Sequence, residues 1–182
     1  IYSGTVTHWS DPIILRDNWQ LVPFMPDEPI VVITRSSGSG TTLAFTDALN
    51  RHDSTFQSSE LPDWPDSFTT RATGNSDMAR LVQSTRYAIG YMSEDAARGA
   101  NVQQSLLVNA AGNKVDATEE SIVAAAASFR TTDNLNRIAE GREPVSVSND
   151  RGELSWPIMA MSYAAIRTVV PAGMSCATSA WS

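Results

Sequence analysis

One segment of the chain concentrates side chains and backbone that could bind an anion: residues 35–42, with the sequence RSSGSGTT. Arg35 carries a planar fork of N–H donors that suits an oxyanion. Ser39 and Thr41 add hydroxyl donors, and the two glycines of the segment allow its backbone to approach a ligand closely. These residue types at this spacing predict a compact oxyanion site that needs no basic surface around it.

The elements that must position this segment are a strand before it and a helix after it. Residues 29–35 (PIVVITR) contain four consecutive β-branched apolar residues, which predicts a strand of a parallel sheet, buried on both faces. From Leu43 to Leu49, apolar residues recur at helical spacing, and Ser39 is a suitable N-cap for that helix. Ligands of open α/β sheets bind at the carboxyl ends of strands, and helix N-termini bind anions. A glycine-serine turn with a surface arginine is the alternative interpretation.

Other chemistry finds little support in the residue inventory. The segment lacks the lysine of a GxxxxGK[ST] nucleotide loop and does not match the G-x-S-x-G of a nucleophile elbow. His8 and His52 lie far apart in sequence, and Cys176 has no second cysteine with which to form a disulfide or a zinc site. We therefore expect no enzyme activity, no bound metal and no cofactor.

Composition narrows the class of protein further. The chain has 182 residues, 42% of them hydrophobic, and a formal net charge of −7. This length and apolar content suit a single folded domain. The acidic balance argues against a nucleic-acid partner and against attraction to anionic membranes. The sequence contains no run of about 18 apolar residues, so it predicts no membrane-spanning helix.

Further elements alternate along the chain. We expect strands at residues 68–72, 88–92, 105–108 and 156–166, a turn at 111–114, and a helix over 122–129 with one or two helical turns after it. Two more helices begin near Asn75 or Ser76, either of which could cap the first, and near Ser93. The spacing of Asp116 and Glu119 predicts a capping box. Strands that alternate with helices predict an α/β domain.

Four segments, in order, resemble one known family. Residues 1–12 are similar to its I-F-x-G-x-I-x-x-W-x-D segment, and residues 29–42 to its strand followed by R-x-D-G-S-G-T-[ST]. Residues 74–91 are similar to G-N-x-G…G-A-I-G-Y, and residues 156–158 to W-P-I. The chain thus resembles the phosphate-binding proteins of ABC phosphate transporters, which have the type 2 periplasmic-binding-protein fold.

The resemblance implies a fold and a set of site residues. The implied fold is a single three-layer α/β lobe of the periplasmic-binding-protein-like II fold, with a mostly parallel central sheet flanked by helices. We expect this lobe over residues 1–170 and a small polar tail over residues 171–182. The family motif implies phosphate-binding roles for Arg35, Ser39, Gly40 and Thr41, with Ser37 and Gly38 as supporting residues. Ser37 stands where the family has the acid that pairs with the arginine.

The resemblance covers only the second lobe of a two-lobe protein and its return strand. It implies an extracytoplasmic solute receptor or sensor, which binds inorganic phosphate or a related oxyanion, weakly when this lobe acts alone. The implied partners are a missing first lobe or flanking domains of a larger chain, and the membrane subunits of an ABC transporter. An interaction or structural module of a larger extracellular protein, with a half or degraded site, is the alternative function.

Overall fold

The computed structural model describes residues 1–129, 132–142 and 148–161. In chain order the helices are α1 (Pro12–Asp17), α2 (Gly40–His52), α3 (Asn75–Ser84), α4 (Glu94–Gly99), α5 (Glu119–Phe129) and α6 (Thr132–Ala139). A 3-10 helix over Trp19–Phe24 follows α1. The strands are β1 (Val31–Arg35), β2 (Thr70–Ala72), β3 (Ala88–Ile89), β4 (Leu107–Val108) and β5 (Lys114–Val115).

β1 is the middle strand of a three-stranded parallel sheet with the order β2-β1-β3. Its register pairs Arg35 with Ala72 on one side and Val32 with Ile89 on the other. Because the strands are parallel, their carboxyl ends lie at one edge, and α2, α3 and α4 each begin shortly after a strand ends there. The predicted α/β class, with a parallel sheet flanked by helices, is confirmed.

The core forms where α3 packs against this sheet. Val32, Ile33 and Thr34 of β1 are buried, as the run of β-branched residues predicts. Ile33 and Met78 are fully buried in a cluster with side chains of α3 and β3. Burial of such side chains contributes about 1.5–3 kcal/mol each to the free energy of folding. This packing fixes β1 and therefore the position of the residue at its end.

A second, aromatic cluster joins α2 to the N-terminal segment and to the loop after α2. It comprises Tyr2, Phe45, Trp64, Phe68 and Tyr91. The rings of Phe45 and Tyr91 are stacked, with centroids 4.5 Å apart. Burial raises the pKa of Tyr2, so that its hydroxyl stays protonated at neutral pH. The cluster holds α2 against the segment that follows β3.

Several predicted strands are shorter than expected or absent. The strand predicted over 68–72 pairs only from Thr70, that over 88–92 ends at Ile89, and that over 105–108 begins at Leu107. Residues 156–161 form no strand, which makes that part of the prediction wrong, and residues 162–166 lie outside the described residues. Trp156 instead donates its backbone N–H to Ser121 O at 3.0 Å. Apolar sequence alone did not reveal this contact with the start of a helix.

Two predicted helix caps are also wrong. α3 begins at Asn75 after Gly74, with no side-chain cap, because the Asn75 amide donates to Ser93 instead. At α5 the reciprocal pair is Thr118 and Ser121, in which each hydroxyl accepts the backbone N–H of the other residue. The capping box therefore begins two residues after Asp116. The turn predicted at residues 111–114 is present, with Gly112 at a φ of +86°.

In residues 1–129, 132–142 and 148–161, no helix has the length and hydropathy needed to cross a membrane. The tail predicted over residues 171–182, together with Cys176, lies outside the described residues.

Candidate functional site

Arg35 is the last residue of β1, so its side chain lies at the carboxyl edge of the sheet. Its Nη1 donates to Ser39 Oγ at 2.7 Å, and its Nη2 donates to Thr73 O at 3.3 Å. Its backbone N–H donates to the hydroxyl of Tyr91 at 3.3 Å. The guanidinium thus connects the start of α2 with the residue that follows β2, while Tyr91 holds the backbone of Arg35.

Part of the donor capacity of Arg35 is unused. Its Nε is buried and has no hydrogen-bond partner in the described part of the chain. No described carboxylate forms an ion pair with the guanidinium either, which agrees with the presence of Ser37 at the position of the family acid. Buried polar groups are nearly always hydrogen-bonded, so the unpaired Nε of Arg35 is unusual and supports the interpretation of this region as an anion site.

Ser39 caps α2, as its sequence position predicts. Its Oγ accepts the backbone N–H of Thr42 at 3.3 Å and Nη1 of Arg35 at 2.7 Å. Its backbone N–H donates to Glu60 O at 3.1 Å, in the loop after α2. A serine hydroxyl has two acceptor lone pairs and one proton. Since both lone pairs of Ser39 are engaged, its proton remains available for a further acceptor.

Gly40 and Thr41 occupy the first two positions of α2, whose backbone N–H groups have no acceptor within the helix. Gly40 is exposed, and a methyl group added there would meet no heavy atom within 4 Å. The first turn of α2 contains no acidic residue. The positive end of the helix dipole therefore faces an open approach.

The structure thus brings Arg35, Ser39, Gly40 and Thr41 together. Gly38 and Ser37 lie in the exposed turn between β1 and α2. Together these residues provide N–H and O–H donors around the start of the helix, which is the donor chemistry that an oxyanion accepts.

Sequence reasoning missed Tyr91, whose hydroxyl contacts both the end of β1 and the first turn of α2. Its hydroxyl lies 2.9 Å from Thr42 Oγ1, and Thr42 is only 1% exposed. The same hydroxyl accepts the N–H of Arg35. The G-A-I-G-Y resemblance marked this tyrosine, but its partners lie 49 and 56 positions away in sequence.

The starts of α3 and α4 are joined next to the site. Asn75 Nδ2 donates to Ser93 Oγ at 3.0 Å, while Asn75 Oδ1 is buried without a partner in the described residues.

Asp77 accepts the N–H of Thr73 at 2.9 Å. That backbone bond, together with Arg80, holds the pKa of Asp77 below its ordinary value. Asp77 thereby fixes the loop whose carbonyl receives Arg35.

The candidate site lies on an open surface. Two cavities, of about 620 and 760 Å³, are lined by other residues, and neither includes Arg35, Ser39, Gly40 or Thr41. Within the described residues, no group of three or more His, Cys, Asp or Glu side chains could hold a metal ion.

Comparisons with known proteins agree with the resemblance of the sequence motifs. The chain is 30% identical over 167 residues to the phosphate-binding protein PstS of Pasteurella multocida, a match that covers 90% of this chain and 46% of the relative. It is 31% identical over 165 residues to PstS of Haemophilus influenzae, covering 90% of this chain and 47% of the relative. The chain spans about half the length of the curated relatives it matches.

A solved structure from Clostridium perfringens, titled as a phosphate ABC transporter substrate-binding protein with bound phosphate, matches with 30% identity and a TM-score of 0.36. That match covers 52% of this chain and 31% of the other. The model of a PBP superfamily domain matches residues 1–147, and the chain therefore belongs to the PBP superfamily.

Proposed function

We propose that this chain binds inorganic phosphate or a similar oxyanion at the N-terminus of α2. The observation that supports this most directly is the hydrogen bonding of Ser39. Its oxygen accepts from Arg35 and from Thr42, which leaves its proton for a further acceptor, and the N–H groups of Gly40 and Thr41 at the helix start have no acceptor within the helix. The names of the relatives, which are phosphate-binding proteins, support phosphate as the ligand.

The affinity of the 182-residue chain alone is expected to be modest. The donors face an open surface, where water weakens charge-assisted hydrogen bonds, and the chain carries a net charge of −7. We expect a dissociation constant on the order of 1 mM, which corresponds to about −4 kcal/mol of binding free energy.

In the full-length protein, this domain would serve an extracytoplasmic solute receptor or sensor. A second lobe would close over the anion, exclude water and raise the affinity, and ABC transporter membrane subunits would receive the loaded receptor. The similarity to about half the length of the phosphate-binding relatives supports this arrangement.

An interaction or structural module is the second candidate function, and one observation favours it. Large apolar side chains are exposed along α1 and the 3-10 helix, among them Ile13 (54%), Trp19 (71%) and Phe24 (82%). Exposed apolar patches of this kind often mark protein interfaces. The segment that carries this surface begins and ends beside the amino end of β1, where Trp9 N–H donates to Glu28 O at 3.0 Å, whereas Arg35 is the last residue of that strand.

Titration calorimetry separates the two candidates. Phosphate and sulfate at millimolar concentration should release or absorb heat with a saturable curve, whereas a neutral solute such as glycerol should not. If no oxyanion gives a binding signal at these concentrations, the proposal of an anion site in this chain is wrong, and the interaction module becomes the better account.

A further inference from the structure

A carboxylate that the site motif does not contain lies beside the candidate site. Glu60, in the loop between α2 and β2, packs its side chain over Gly38. A methyl group added at Gly38 would lie 3.2 Å from Glu60 Oε1 and 3.3 Å from Glu60 Cδ. The absence of a side chain at Gly38 is therefore what leaves room for this carboxylate.

The backbone of Glu60 is held in place by α2. Glu60 O accepts the N–H of Ser39 at 3.1 Å. The preceding residue, Ser59, donates its N–H to Thr46 Oγ1 at 2.9 Å, and Thr46 is 1% exposed. Two consecutive loop residues are thus bonded to the N-cap and the second turn of α2, so the backbone of Glu60 is held near the helix start.

The charge of Glu60 is not neutralised by a neighbour. No arginine, lysine or histidine in residues 1–129, 132–142 and 148–161 forms an ion pair with it. Consecutive Cα atoms are about 3.8 Å apart, so Gly38 and Gly40 are separated by at most about 7.6 Å. Even with the contacts at both ends added, an anion at Gly40 and Thr41 would lie well within one Debye length of the Glu60 carboxylate at low ionic strength, which is about 30 Å at 0.01 M salt.

We infer that Glu60 is a specificity-determining residue of the candidate anion site and favours singly charged over doubly charged oxyanions. This inference rests on the proposed function. The repulsion between the carboxylate and the ligand is proportional to the ligand's charge, whereas the number of hydrogen-bond donors offered is the same for any tetrahedral oxyanion. The backbone carbonyl of Glu60 anchors the loop, and the side-chain carboxylate of Glu60 sets the preference for singly charged oxyanions.

The test compares Glu60→Gln with the parent chain, using sulfate as the dianion and perchlorate as the monoanion. Calorimetric titrations at low ionic strength give both dissociation constants. Removing the charge should raise perchlorate affinity about threefold and sulfate affinity about tenfold. The repulsion energy is twice as large for the dianion, so the fold-change in its affinity is the square of the fold-change for the monoanion. The backbone anchor is unchanged, so thermal unfolding should be the same for both chains.

Glu28→Gln is the matched control, because it makes the same charge change on an exposed residue next to the amino end of β1. Seven residues of nearly extended chain place it on the order of 20 Å from Arg35. The measured quantity is the ratio of sulfate affinity to perchlorate affinity. If Glu60→Gln leaves this ratio unchanged, or changes it no more than Glu28→Gln does, the inference is wrong and the proposed function still stands. Failure of both chains to bind either anion overturns the proposed function and the inference together.

Discussion

Arg35 and Ser39 form one hydrogen-bonded unit, in which Nη1 of the arginine donates to Oγ of the serine at 2.7 Å. The serine also caps α2, so the arginine at the end of β1 is bonded directly to the cap of the following helix. Anion binding at the proposed site would therefore be coupled to the start of α2, and substitutions at the two positions should not have additive effects.

Replacement of Arg35 by alanine should weaken oxyanion binding. Hydrogen bonds to charged groups contribute about 1.5–3 kcal/mol, so Arg35→Ala should raise the dissociation constant for phosphate by about tenfold to a hundredfold. Arg16→Ala is the matched control, since Arg16 pairs with the neighbouring Asp17 and its side chain is 72% exposed. Calorimetry that finds equal affinity for Arg35→Ala and the parent would remove Arg35 from the site.

Two substitutions of Ser39 should separate its role as a cap from its role in binding. Ser39→Ala removes the cap and should lower the free energy of unfolding by about 1 kcal/mol. Ser39→Asp keeps a good cap residue but adds a negative charge where the anion is expected, so it should retain most of the stability and lose oxyanion binding. Denaturant unfolding and calorimetry measure the two effects. Sulfate binding by Ser39→Asp at the parent's affinity would contradict the proposed location.

The buried hydroxyl pair of Thr42 and Tyr91 should contribute to stability as a unit. Thr42→Val or Tyr91→Phe alone leaves a polar partner unsatisfied and should cost about 1–3 kcal/mol in the free energy of unfolding. The double variant should cost less than the sum of the single variants, because neither hydroxyl is then left without the other. Additive costs in a denaturant double-mutant cycle would show that the two hydroxyls do not interact.

Two glycine-to-alanine substitutions should have opposite effects. A methyl group at Gly90 would lie 2.6 Å from Met78 Sδ and 2.8 Å from Val82 Cγ2, so Gly90→Ala should destabilise the fold by about 1–3 kcal/mol. Gly99, at the end of α4, has open space at the same position, and Gly99→Ala should be neutral or slightly stabilising. Thermal unfolding measures both. Equal unfolding temperatures for the two variants would show that α3 does not pack closely against residue 90.

The pKa of Asp77 predicts a dependence of stability on pH. Because its pKa is lower in the folded chain than in the unfolded chain, its stabilising contribution is present above the ordinary aspartate value of about 4. That contribution is lost as the pH falls through the lowered pKa of the folded state. Asp77→Asn should therefore be less stable than the parent at pH 6, and the difference should shrink toward pH 3. A difference that is constant over this range would contradict the role of its charge.

The sequence was a sufficient guide where the determinants are local. The strand from Val31, the turn and the helix capped by Ser39 all follow from patterns within about 20 residues, and all are present. The contributions of Tyr91, Thr73 and Glu60 depend on contacts between residues from 21 to 56 positions apart. No local pattern specifies such contacts, because they are set by how the elements pack.

The misplaced caps have a similar cause. Asn75 has the chemistry of an N-cap, but its side chain is drawn to Ser93, 18 positions later, and Gly74 takes the cap position without a side chain. At α5 two short hydroxyls satisfy each other, and so the helix starts after Thr118. Competition between polar partners decided both outcomes.

The hydrogen-bond donors of the proposed anion site all come from one uninterrupted stretch, residues 35 to 41. Closing so short a loop costs little chain entropy. Recombination that cuts or fuses the gene outside this stretch would leave the donor set whole. A short contiguous site of this kind can pass between proteins of different architecture more readily than one assembled from distant parts of a chain.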